Sequence, residues 1–78
     1  MFETWAENLY DETFSDVFDA LVAEYKNGEI SVEQLKINLA EQQQILLNAF
    51  TEGEVKSTYC NAMVDAHQYV LALINNGK

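Results

Sequence analysis

Proline is absent from the 78 residues, and glycine occurs only at Gly28, Gly53 and Gly77. A sandwich or barrel of this length needs a turn signal every ~8–12 residues. Here the glycines stand about 25 residues apart, which suits helices joined by short connections. Cysteine is single, at Cys60, so no internal disulfide can brace the fold. Bases are scarce, with 4 Lys and Arg against 13 Asp and Glu and a formal charge of −9. That balance excludes direct binding of nucleic acid, whose phosphates demand cations, and docking on an anionic membrane surface. No apolar run approaches the ~20 residues that span a bilayer; the longest, Val70 to Ile74, is brief. The start, Met1-Phe2-Glu3, has neither a basic stretch nor a small-residue cleavage site, so a cytoplasmic protein without a secretory signal is expected.

What is present is apolar. Hydrophobic residues make up 49% of the chain and aromatics 12%, too much for a disordered acidic tail. The charge therefore rides on a folded body. Residues 1–78 leave room for one acidic helical domain and no second core.

The best specified boundary is Lys26-Asn27-Gly28-Glu29-Ile30-Ser31. Glycine lacks the Cβ that clashes in a left-handed C-terminal stop, so Asn27-Gly28 ends the helix before it. Ser31 caps the next helix, Gln34 stands where a capping box needs it, and Ile30 with Leu35 forms a hydrophobic staple. That helix carries Val32, Leu35, Leu39, Leu46, Ala49 and Phe50 on one side, with Gln42 and Gln43 near mid-length. A buried glutamine needs partners, so one of the two is expected at an edge or beside water. Gly53 reads as the same solution to a second helix–helix turn. The last helix is apolar on two sides, Val55, Tyr59, Ala62, Ala66, Val70 and Leu73 on one and Cys60, Val64, His67, Leu71 and Ile74 on the other. Such a helix is either central to its bundle or turns its second stripe to another subunit, as in a homodimer.

In the N-terminal third the apolar face changes phase. Phe2, Trp5, Ala6, Leu9 and Tyr10 share one face; Phe14, Val17, Phe18, Leu21, Val22 and Tyr25 share another, turned by roughly a third of a revolution. In one straight helix Glu3, Glu7 and Asp11 would lie on the face that the second half buries. A break near Asp11 to Thr13 resolves the conflict, with Thr4/Glu7 and Thr13/Asp16 as helix openers. The resulting expectation is an all-α fold: a small bundle of three to four antiparallel helices at about 3–10, 13–27, 32–51 and 54–75.

Little in the chain supports catalysis. Cys60, Met63 and His67 share a helix face, but a zinc or copper site needs three or four ligands, and no second Cys or His exists to supply them. His67 is the sole imidazole, and Asp65 points to the far side of the helix, unable to orient it. There is no glycine-rich phosphate loop and no calcium-binding ligand ladder. Ser31 lacks the Asp-Ser-Leu context of an acyl carrier protein and is read as a cap. No enzyme, metal or cofactor is expected.

The carboxylates are unevenly placed. Residues 1–33 hold nine acids against Lys26 alone, a balance of −8; residues 34–78 hold four acids and three lysines, a balance of −1. Glu3, Glu7 and Asp11 form one row at i, i+4, i+8, and Glu12, Asp16 and Asp19 form a second. Like charges at this spacing cost a helix a few tenths of a kcal/mol per pair, and solubility alone is met as well by interspersed lysines. The expected function is a non-enzymatic regulator or inhibitor whose acidic N-terminal surface engages a basic protein, including one that handles nucleic acid. A nucleic-acid mimic of the phage counter-defence type fits this composition. The competing expectation is a structural or adaptor module that self-associates through Cys60, Val64, His67 and Leu71, its charge serving solubility only.

Overall fold

Among the described residues there are three helices, in the order α1 (Phe2–Lys26), α2 (Val32–Ala49) and α3 (Glu54–Asn76), and no strand. The structure is a computed structural model that describes residues 2–76, with side chains described from residue 5 onward.

The first turn is closed by backbone bonds that only a left-handed residue allows. Gly28 has φ 77°. Its N–H donates to Tyr25 O at 3.1 Å, and the Glu29 N–H donates to Glu24 O at 2.8 Å. This pair is a Schellman motif, which satisfies carbonyls that the end of α1 would leave bare. Ser31 then caps α2 in extended conformation, its Oγ accepting from the Gln34 N–H at 3.1 Å. The reciprocal arm of the expected capping box is not made: the Gln34 side chain donates to Asn38 Oδ1 at 2.9 Å instead. Ile30 packs against the cluster that holds Leu35, as the staple requires.

The second turn is not a copy of the first. Gly53 has φ 123° and opens a helix, its carbonyl accepting from the Ser57 N–H at 3.1 Å. The two glycines look alike in sequence and serve opposite helix ends. The Lys56 ammonium bridges this turn to Glu52 Oε1 at 2.7 Å, a hydrogen bond that holds the lysine pKa above its usual range.

The expected break near Asp11 to Thr13 does not occur; α1 is one helix of 25 residues. Two observations explain why. The face bearing Phe14 and Phe18 is only half buried, so Glu7 and Asp11 reach water on that same side without conflict. Thr13, the supposed cap, is itself buried at 8% exposure in the packing face. With no glycine or proline between Leu9 and Phe14, breaking the helix would cost backbone hydrogen bonds and return nothing.

Both α1 and α2 pack on α3 and scarcely touch each other. Along α1 the neighbours on α3 climb together, from Tyr10 beside Asp65 through Phe14 beside Tyr69 to Leu21 beside Val70, so α1 and α3 run parallel. Leu35 of α2 meets Val70, and Val32 lies near Ile74, so α2 runs antiparallel to α3. Leu21, Leu35 and Val70, one from each helix, form the cluster where all three meet, with Val17, Phe18, Val22, Leu71 and Ile74 around it. Ala62 and Ala66 are fully buried, the small side chains that let a helix approach closely. The molecule measures 40 × 24 × 19 Å with a radius of gyration of 13.2 Å, against ~11.5 Å for a compact domain of this length.

Candidate functional site

An unbroken α1 carries both rows of acid on a single rod. Glu7, Asp11, Glu12, Asp16 and Asp19 are all exposed; the Glu3 side chain lies outside the described residues. The rows flank Asn8 and Ser15 on the solvent side and extend ~18 Å from Glu7 to Asp19 at helical rise. Among the described residues the one ion pair is Glu52–Lys56, so none of these five carboxylates is matched by a described base. α1 makes a single surface of what the expected break would have divided between two helices.

The residues expected to mediate self-association lie elsewhere than a free face. Cys60, Val64 and His67 are buried at 3–5% exposure, and Leu71 is half buried against the core. The second stripe of α3 is covered by α2 of the same chain, which leaves these side chains little surface for another copy. His67 Nδ1 lies 2.7 Å from Met63 O; a carbonyl only accepts, so Nδ1 bears the proton. His67 and Met63 floor a crevice of about 470 Å³ between α1 and α2, rimmed by Asp16, Glu41, Asn38 and Gln42. Gln42 is half buried there and Gln43 exposed, matching the expectation that a mid-helix glutamine borders an edge. No group of three or more His, Cys, Asp or Glu able to hold a metal occurs among the described residues.

The opposite flank of the α1–α3 contact is aromatic. Tyr10, Phe14 and Phe18 stack along α1, with ring centroids 6.0 and 5.8 Å apart and planes within 17° and 7°. Tyr69 of α3 meets Phe14 edge-on at 5.4 Å. These four residues and Asp11 line an open depression of about 390 Å³. The Tyr10 hydroxyl donates to Asp65 Oδ2, tying α1 to α3. Burial first, and then the bond to Asp65 and its charge, push the Tyr10 phenol up to about 12. Nothing in the sequence linked residues 10 and 65; the i, i+4, i+8 spacing of the three rings was the one available signal for the ladder.

A third feature is apolar side chains left in water. Ile37, Leu47, Phe50, Val55, Tyr59 and Leu73 are all exposed. Total accessible surface is 5379 Å², against ~4,800 Å² for a folded monomer of this mass. Trp5 is exposed as well, whereas Tyr10 and Phe14 are half buried. No helix of the described residues is long and apolar enough to cross a membrane. Set beside protein-family models, curated proteins and solved structures, the chain matches none.

Proposed function

We propose that this protein is a non-enzymatic binding regulator whose α1 surface engages a basic partner protein. The observation that carries this reading is the exposure of Glu7, Asp11, Glu12, Asp16 and Asp19 on one continuous helix, with no described base beside them. Self-repulsion of that kind has a use when a cationic surface relieves it, and the one-signed field then speeds encounter. A partner that itself handles nucleic acid fits best, because its basic face is built for a row of anions and α1 presents one.

The test compares the intact chain with a variant carrying Glu12→Gln, Asp16→Asn and Asp19→Asn. Each is immobilised, exposed to native host lysate at low salt and eluted with rising salt. The intact chain retains a basic protein that leaves early in the salt series, and the variant, with helicity unchanged by circular dichroism, loses it. Equal retention by both chains overturns the proposal.

Self-association is supported by a different observation. Ile37 and Leu47 lie on the outward side of α2 and are more than half exposed, in the part of the sequence that is almost neutral. Light scattering across a concentration series decides it: a dimer dissociated by Leu47→Glu supports this reading, and a monomer at every concentration removes it.

A further inference from the structure

We infer that the aromatic flank of the α1–α3 contact is a seat for arginine side chains of the basic partner. This rests on the reading of α1 as the binding surface and gives that surface a chemical preference. Along α1 the apolar face changes phase. One stripe of this helix begins acidic, with Glu7 and Asp11, and continues aromatic, with Phe14 and Phe18. A helix break would have made the two halves independent. Because α1 is continuous, carboxylates and rings share one side and adjoin at Asp11, which lines the depression with Tyr10, Phe14, Phe18 and Tyr69.

The flank is open by construction. α2 covers the other side of the α1–α3 contact, where Val17, Leu21 and His67 lie, and no third helix reaches this one. The stacked rings are therefore half buried, and Tyr69 is 62% exposed. None of the described lysines enters: Lys26 ends α1, Lys36 lies beside Leu71 and Ile74, and Lys56 pairs with Glu52. Aromatic rings carry negative charge on their faces and positive charge on their edges. The stacked rings turn their inner faces on one another, so the faces left for a cation are the outer ones of the end rings, Tyr10 and Phe18, and that of exposed Tyr69. Guanidinium suits the arrangement better than ammonium, since it is planar, weakly hydrated, stacks on a ring and offers a fork of donors to a carboxylate. Asp11 is placed to take that fork.

The test uses an arginine-rich peptide and the same peptide with lysine at every arginine position. Each is titrated at low salt into the intact chain and followed by amide chemical shifts. Both peptides are expected to bind, the arginine form about threefold to fivefold tighter, with shifts centred on Tyr10, Asp11, Phe14, Phe18 and Tyr69. Phe18→Leu and Tyr69→Ala should each bring the arginine peptide towards the affinity of the lysine peptide. Tyr69 is exposed enough that its loss leaves the fold standing, so this variant remains informative where Phe18→Leu fails to fold. Glu12→Gln should weaken both peptides alike. Equal, salt-sensitive binding of the two peptides overturns the arginine seat and leaves the acidic-surface reading in place. An arginine preference that survives Tyr69→Ala and Phe18→Leu also overturns it. Binding of neither peptide overturns both.

Discussion

Asp65 is the one acid that α3 carries between Val55 and Asn76, and its role is set by a residue far away in sequence. It faces away from His67, as helical geometry requires, and takes the hydroxyl of Tyr10. No spacing rule links positions 10 and 65, so this contact was not legible before the helices were placed, whereas the failure of Asp65 to serve His67 was. Tyr10→Phe removes the bond while keeping the ring, and should cost about 1 kcal/mol, a fall in melting temperature of ~4–8 °C for a domain of this size. The phenol adds a dependence on pH. Its folded pKa of about 12 stands above the ordinary 10.0, so the protonated form is the one the fold favours. The stability that follows is complete below pH 10.0 and is lost as pH rises towards 12. Chemical denaturation across that window should show a loss that Tyr10→Phe lacks.

At the scale of elements, helix ends are set by neighbouring residues, whereas helix faces are set by what packs on them. The stop at Gly28, the cap at Ser31 and the staple of Ile30 on Leu35 were all legible, because each depends on residues within one turn of one another. Gly28 lies at positive φ with nothing within 4 Å of a Cβ placed there. Gly28→Ala should therefore cost roughly 1–2 kcal/mol through backbone strain alone. D-Alanine introduced at the same position by chemical synthesis should restore or raise the stability read by thermal melting. An equal loss with both enantiomers would show that space, and not φ, decides. The expected break in α1 failed for a physical reason: a rotation of the apolar face predicts a break only when both faces are buried, and burial is tertiary information. The same limit applies to the second stripe of α3. Its apolarity was readable, but whether α2 or a second copy covered it depended on the path of the chain.

For the whole molecule, the location of charge was legible and its consequence is energetic. Glu12, Asp16 and Asp19 repel one another along α1, away from the positive end of the helix dipole. Glu12→Gln with Asp16→Asn should raise the free energy of unfolding by a few tenths of a kcal/mol at low salt, a gain that shrinks as salt screens the charges. If the same changes also weaken the proposed partner binding, the pairing of the two effects marks residues kept for recognition, since stability and activity commonly trade at such sites. Denaturant titration at two salt concentrations measures the gain; a loss of stability would show that these carboxylates support the fold instead.

Because α1 and α2 each lean on α3 and hardly on each other, the order of synthesis matters. A ribosome delivers α1 and α2 first, and neither finds its partner until the chain beyond Glu54 has left the exit tunnel. Helices of their length are marginal alone in water, so the nascent chain carries Phe14, Phe18 and Leu35 unprotected until α3 emerges. Residues 1–33, with a balance of −8, leave the tunnel ahead of α3, and like net charge sets neighbouring nascent copies against one another while those side chains are bare.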